Sequence, residues 1–176
     1  YMNWLDTYYQ LRFDNYQSLW KWSVSETRLF WETIWKYFEI IGHSSYETVH
    51  SDHPMPETQW FPGATLNYAE HIFRMRSNVR PAIVFKTEDA PLVEISWTEL
   101  EQKVAGFRSW LVKQGVGKGD RVAAYLPNLP EATIAFLAAC SLGAIWSSCS
   151  PDFCADSVID RFRQIIPMVL LAVDGY

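Results

Sequence analysis

The sequence lacks the short motifs by which many enzymes declare themselves. It contains no Gly-x-Gly-x-x-Gly fingerprint, no Gly-x4-Gly-Lys-Ser/Thr phosphate loop, no His-Glu-x-x-His and no Gly-x-Ser-x-Gly. Cysteine is scarce. Cys140, Cys149 and Cys154 make an odd count without a Cys-x-x-Cys pair, which gives neither a disulfide framework nor a zinc site. They read as small reduced core residues of a cytosolic, cytoplasmic protein. Positive charge is also short. Fifteen Lys and Arg against twenty Asp and Glu leave a net charge of -5, so nothing electrostatic favours nucleic acid or an anionic membrane as a partner. The four histidines, His43, His50, His53 and His71, all precede the hydroxyl-rich run 147–150, which has no base near it in sequence. His50-x-x-His53 has the spacing of a helical metal pair, but Pro54 and Pro56 oppose a helix there and no third ligand is near. No basic stretch followed by an apolar run opens the chain, so no secretory signal is read.

Charge is missing altogether from Ala132 to Pro151, a span long enough to cross a bilayer. Its serines, threonine and glycine keep it only modestly hydrophobic. A buried helix followed by a buried parallel strand gives the same silence, and that is the reading adopted. What the chain has in excess is aromatic side chains, 16% of its residues, with six of nine tryptophans in the first sixty positions. Residues 1 to 41 read as two or three amphipathic helices. Asp14 is expected to cap one through Trp22, and Ser23 with Glu26 to form a capping box for the next. On that helix Phe30, Ile34, Tyr37 and Ile41 share a face, with Trp31, Trp35 and Phe38 beside them. So wide a stripe is expected to pack on the body of the protein through Trp31, Ile34, Trp35 and Phe38; the alternative is an exposed partner surface. Residues 42–66 read as irregular, and Asn67 with Glu70 opens a helix to about Arg76.

From residue 81 the pattern alternates between strand and helix. Residues 81–86 and 92–96 suggest two strands, and Ser96 with Glu99 a capping box ahead of Leu100, Val104, Phe107 and Leu111. The run Gly115-Val-Gly-Lys-Gly-Asp-Arg-Val122 then closes the helix and opens a strand at about 121–125. Its glycines and Lys118 invite a phosphate-loop reading. Phosphate loops leave a strand for a helix, however, and this run does the reverse. Gly115 suits a left-handed helix C-terminus and Lys118 the negative end of the dipole. Asn128 and Glu131 are expected to cap the next helix, with Pro130 in its first turn. Strands at 144–147 and 168–173 flank a helix at 155–164. Three apolar strands linked by two helices imply a parallel sheet. Ligands of such sheets bind beyond the carboxyl ends of the strands. Those ends are 126–128, 147–152 and 174–176; the second is richest in hydroxyls, and its residues read either as a ligand wall or as a turn and helix cap. With Tyr at position 1 and a bare strand at the other end, the sequence is expected to be a piece of a longer protein.

Taken together, Trp60-Phe-Pro-Gly-Ala-Thr-Leu-Asn-Tyr-Ala-Glu70, Ser96-Trp-Thr-Glu-Leu100, Gly115-Val-Gly-Lys-Gly-Asp-Arg-Val122, Pro127-Asn128 and Leu142-Gly-Ala-Ile-Trp-Ser-Ser-Cys-Ser-Pro-Asp-Phe153 resemble the AMP-forming acyl-CoA synthetases in order and spacing. Gly143-Ala-Ile-Trp-Ser-Ser148, Ser150-Pro-Asp-Phe153, Asp160-Arg-Phe162 and Gln164-Ile165 resemble the branch that activates acetoacetate; Cys154 departs from the glycine of that branch. The resemblance runs almost end to end. It implies an α/β fold: a helical N-terminal appendage, 1–66, then the first part of the mostly parallel, helix-flanked sheet of an adenylate-forming enzyme, 67–176, the beginning of a large AMP-binding domain. For the whole enzyme it implies ATP, CoA and Mg²⁺, acetoacetate as small-molecule substrate, and the remainder of the same polypeptide as partner. Acetate or another short acid is the alternative substrate. A free-standing interaction module and a small Rossmann-like domain are the alternatives outside this chemistry. The phosphate loop, the nucleotide site and the catalytic lysine of the family fall outside residues 1–176, so no catalytic residue is assigned. By the same resemblance Ser150, Pro151 and Asp152 border the CoA channel.

Overall fold

A computed structural model describes residues 1–88 and 90–174. The chain divides into two compact units, Tyr1–Leu66 and Asn67–Tyr176.

The first unit holds three helices, α1 (Met2–Tyr9), α2 (Tyr16–Ser25) and α3 (Thr27–Tyr37), followed by an irregular segment. Asn15, rather than Asp14, caps α2: its side chain accepts from the Ser18 N–H, and the Ser18 hydroxyl faces back to the Asn15 N–H in a reciprocal box. The Ser23–Glu26 box is not formed either. Ser23 lies inside α2 with its hydroxyl donating to the Trp20 carbonyl, and Glu26 is the N-cap of α3 without a side-chain cap bond. α3 stops at Tyr37 because Glu39 turns left-handed (φ 46°), and the Glu39 and Ile40 amides close back on Lys36 and Trp35. Ile41 therefore lies beyond the helix face predicted for it. The aromatic stripe finds partners inside its own unit: Trp35 packs on Phe61 and Tyr46 with centroids 4.7 and 5.2 Å apart, and Trp31 on Trp60 at 5.6 Å. All three partners come from the irregular segment, which is pinned by bridges between Ser44 and Thr65 and between His50 and Trp60.

In the second unit a short helix α4 (Tyr68–Phe73) precedes an antiparallel pair, β1 (Ile83–Phe85) and β2 (Val93–Ile95). The long helix α5 (Trp97–Lys113) leads to β3 (Arg121–Tyr125), α6 (Pro130–Ser141), β4 (Ile145–Cys149), α7 (Ala155–Ile165) and β5 (Val169–Ala172). The last three strands form a parallel sheet in the order β4-β3-β5, so the predicted parallel α/β arrangement is the one found. Local chemistry explains the punctuation. Asn67 caps α4 through the Glu70 N–H, while its side-chain amide donates to the carbonyls of Cys140 and Ser141 at the end of α6. Ser96 caps α5 through the Glu99 N–H. The N-cap of α6 is Leu129, not Asn128, and has no side-chain bond; Pro130 opens the helix, where its missing N–H costs nothing.

Alternation along β3 distributes the core. Val122 faces the cluster of Leu100, Val104, Leu111, Ile134 and Leu137, whereas Ala123 faces Val158 and Phe162 of α7. The charge-free span 132–151 is thus α6 and the strand behind it. Among the described residues no helix is long and apolar enough to cross a membrane.

The glycine-rich run is a helix-to-strand joint. Gly115 takes φ +84°, and the Gly115 and Val116 amides return to Val112 and Leu111 in a left-handed helix stop. Gly119 also takes φ +84°; Gly117 does not, and its N–H donates to the Asp120 carboxylate at 2.8 Å. The Gly119 N–H reaches the Gly143 carbonyl, and the Lys118 stem lies over Gly143, where a Cβ would approach it to 3.3 Å. These amides hold protein, as a structural turn requires.

Candidate functional site at the carboxyl ends of the sheet

The three parallel strands present their carboxyl ends together. A cleft of about 370 Å³ opens beyond β3 and β4. Leu126, Asn128, Thr133, Phe136, Trp146 and Ser150 are among its walls, and among the described residues no Asp, Glu, Lys, Arg or His lines it. Phe136 and Trp146 meet at 67° with centroids 6.0 Å apart and make an apolar floor. Hydroxyls and one amide edge it. Such a surface can hold an apolar or neutral polar group but carries no carboxylate, imidazole or ammonium for proton transfer.

Of the site residues predicted from sequence, Ser150 reaches this cleft; Pro151 and Asp152 sit in the following turn and do not line it. β4 runs two residues beyond its predicted end, to Cys149, so the turn is Ser150–Phe153, closed by the Phe153 N–H on the Ser150 carbonyl at 3.1 Å. The Ser150 hydroxyl donates to the Asp152 carboxylate at 2.7 Å and accepts from the Asp152 N–H at 3.4 Å. These residues form a turn whose first member, Ser150, also lines the cleft. Gly175 and Tyr176, at the third strand exit, lie outside the described residues.

Two residues passed over in the sequence turn out to hold the crossover that follows β4, Tyr125 at the turn and Arg121 at the far end of α7. Arg121, Ala123 and Tyr125 share one face of β3, the face toward α7. At its top, the Tyr125 hydroxyl contacts the carbonyls of Pro151 at 3.0 Å and Phe153 at 2.8 Å. At its bottom, the Arg121 guanidinium donates to the carbonyls of Ile165 and Ile166, at the C-terminus of α7, where a cation also meets the negative dipole end. The Arg161 guanidinium lies 4.5 Å from the Phe153 ring centroid and covers the turn from the helix side. The period-two pattern of β3 was the available signal: Tyr125, four residues after Arg121, had to share its face.

The cysteines fall into three environments. Cys149 is buried, Cys140 half-buried with its thiol pushed up by burial, and Cys154 exposed. Cys154 thus corrects its assignment to the core. It is the N-cap of α7, but its sulfur makes no cap bond to the backbone and lies 3.2 Å from the Ser157 hydroxyl, which lowers the thiol pKa. Sulfur accepts hydrogen bonds too weakly to replace a Ser or Asp cap. Among the described residues no group of three or more His, Cys, Asp or Glu could hold a metal ion. His50 instead leans on Trp60 and contacts the Ser51 carbonyl.

Comparison with known proteins adds identity to this geometry. The family model described as AMP-binding enzyme matches residues 73–175, and that described as acetyl-coenzyme A synthetase N-terminus matches residues 16–72. An acetoacetyl-coenzyme A synthetase of Rhizobium meliloti (strain 1021) is 39% identical over 176 residues, 100% of this chain and 27% of the relative. An acetoacetyl-CoA synthetase of Macaca fascicularis is 42% identical over 168 residues, 94% of this chain and 25% of the relative. The solved structure of acetoacetyl-CoA synthetase from Streptomyces lividans superposes with a TM-score of 0.91 at 42% identity, covering 99% of this chain and 28% of that one. The chain spans about a quarter of the length of the curated relatives it matches. With more than half of its residues matched by one family model and the parallel sheet in place, the chain belongs to the AMP-binding enzyme family.

Proposed function

We propose that the chain is part of an AMP-forming acid–thiol ligase that activates acetoacetate. The observation that carries this is the 39–42% identity to acetoacetyl-CoA synthetases, which runs along nearly all of both units. In the proposed reaction an acetoacetate carboxylate oxygen attacks the α-phosphorus of ATP, forming acetoacetyl-adenylate and releasing pyrophosphate. The CoA thiol, losing its proton, then attacks the acyl carbon and displaces AMP. Both steps concentrate negative charge on transferring oxygens, so they call for cationic groups and a phosphate-cradling loop. Mg²⁺ would be held together with the nucleotide phosphates by the nucleotide-binding remainder of the protein, and no step is routed through this chain. What this chain supplies is one wall. Ser150, Pro151 and Asp152 border the CoA channel, with Ser150 joining the turn to the cleft.

A partial wall does not bind CoA on its own. Association forfeits ~4–15 kcal/mol of translational and rotational freedom, and a micromolar dissociation constant needs a surplus of about 8 kcal/mol beyond that. The full-length protein is expected to catalyse acetoacetate-dependent exchange of pyrophosphate into ATP and CoA-dependent release of AMP; the 176-residue chain is expected to do neither. Exchange by the short chain would mean that a nucleotide site lies within these residues. A second reading, a ligase for acetate, is favoured by the family model matched over residues 16–72. Full-length protein that exchanges faster with acetate than with acetoacetate would select it.

A further inference from the structure

The geometry points to Tyr125 as a positioning residue that sets the Ser150–Phe153 turn for the thiol-transfer step. The inference rests on the assignment of Ser150–Asp152 to the CoA channel and goes beyond it by naming what holds those residues in place. A three-residue stretch beyond a strand end has few ways to hold one conformation. Here one turn bond, from the Phe153 N–H to the Ser150 carbonyl, closes the loop. The Ser150–Asp152 pair is exposed and local. Neither ties the turn to the sheet. Tyr125 does: its single phenolic hydrogen is shared between the Pro151 and Phe153 carbonyls, 3.0 and 2.8 Å away. These carbonyls belong to the peptide groups on either side of the Asp152–Phe153 junction. The first peptide group enters Asp152 and the second leaves Phe153, so holding both brackets the Asp152–Phe153 pair and restrains the plane from which the Asp152 side chain departs.

The phenol is itself held. Tyr125 is half-buried at the last position of β3, in register with Cys149 of β4. It packs against the buried cluster of Ala123, Val158 and Phe162, so the ring stands on the sheet–helix core rather than on the loop it restrains. Arg121, on the same face, secures the other end of the crossover at the Ile165 and Ile166 carbonyls. One strand face thus clamps both ends of α7. Only the Tyr125 end touches residues of the CoA wall.

The test is Tyr125→Phe in the full-length protein, read in the two half-reactions. Pyrophosphate exchange needs no CoA and reports the nucleotide site. Loss of one hydrogen bond to the turn is expected to raise KM for CoA about three- to ten-fold, with pyrophosphate exchange changed by less than about two-fold. Amides of residues 152 and 153 should exchange hydrogen faster, those of α7 at their former rate; this readout stands even where kinetics are poor. Asp152→Ala and Ser150→Ala separate the two layers of the argument. If they raise KM for CoA and Tyr125→Phe does not, the channel assignment survives and the positioning role is overturned. If they leave KM for CoA unchanged, the channel assignment fails and the positioning role with it. Equal losses in exchange and thiol transfer for Tyr125→Phe would make the tyrosine an ordinary structural residue and overturn the proposal.

Discussion

Among the described residues of the first unit only Leu5, Thr33 and Val49 are buried, and Thr33 does so with its hydroxyl bonded to the Phe30 carbonyl and the Tyr1 phenol. The second unit buries Leu100, Val104, Leu111, Val122, Ala123, Ala124, Ala138 and Ala139 and more. The first unit joins its pieces by ring pairs, such as Tyr1 with Tyr37 at 5.0 Å and Trp35 with Phe61 at 4.7 Å, whose members are only partly buried. The second uses small apolar side chains inside a hydrogen-bonded sheet and two close helices. The same difference shows in their turns. The first unit places Gln10, Glu39 and Phe61 at positive φ beside a single glycine, Gly63, whereas the second places Gly115, Gly119 and Gly143 there, with Ile166 the exception. Burial of large rings tolerates approximate geometry. A sheet of alanines does not, because every backbone must come within reach of its neighbour.

The comparison is broken first at Leu111, fully buried between α5 and the sheet. Leu111→Ala should cost ~2–5 kcal/mol, the range for a cavity in a core that collapses only partly. Denaturation followed by circular dichroism should show the loss in the second unit, while tryptophan fluorescence, weighted six to three toward the first unit, shifts less. Coincident shifts in both signals would mean that the units unfold together.

Next is the helix-to-strand joint. Gly119→Val forces a β-branched residue to φ near +84° and should cost ~1–3 kcal/mol. Gly117→Val should fall within about 0.5 kcal/mol, since Gly117 has no positive φ and a Cβ there would meet Asp120 at an ordinary 3.8 Å. Equal urea midpoints for the two variants would remove backbone conformation as the reason for Gly119.

These two sites also show what could be read in advance. Gly115, Asn67 and Ser96 act through bonds to residues three or so positions away, and such local patterns are written in the sequence. Two of the missed caps lie one step from a competitor: Asp14 beside Asn15, Asn128 beside Leu129. Which neighbour becomes the cap depends on where the incoming chain turns, and that is a tertiary matter. In the candidate site, Ser150 was legible because it follows a strand. Tyr125 and Arg121 were not, since their partners are 26 to 28 and 44 to 45 residues away. The sulfur of Cys154 was misplaced because residue type favours burial, while the helix N-terminus it occupies faces water.

Trp35→Leu sharpens the contrast from the other side. Leucine keeps apolar contact but forfeits the ring pairs with Phe61 and Tyr46, a loss of about 1–2 kcal/mol. A residue far larger than Leu111 should therefore cost less to replace, because its surroundings are half open and can close over the change. Thermal melts of the two variants side by side decide it. A loss from Trp35→Leu equal to that from Leu111→Ala would show that the ring pairs are packed as tightly as the second unit's core.

The smallest effect expected is a pH dependence that belongs to the second unit. His71, on α4, has its pKa lowered from the usual imidazole value near 6.5, first by burial and then by the guanidinium of Arg74. Its Nδ1 is enclosed and has no hydrogen-bond partner among the described residues, so a proton placed there would gain nothing from the protein. In the unfolded chain the same imidazole titrates at its ordinary value. Between the lowered folded pKa and 6.5, then, the unfolded state binds more protons than the folded one. Stability must rise with pH through that window and level off above it. Acidification from pH 7 toward 5 should weaken the second unit by a component that His71→Gln abolishes, since glutamine does not titrate. Carboxylates contribute in the same range, so the quantity to measure is the difference in slope between the two proteins. Parallel stability–pH curves for the parent and His71→Gln would show that His71 protonates as readily folded as unfolded, and the enclosure of its ring would then carry no electrostatic weight.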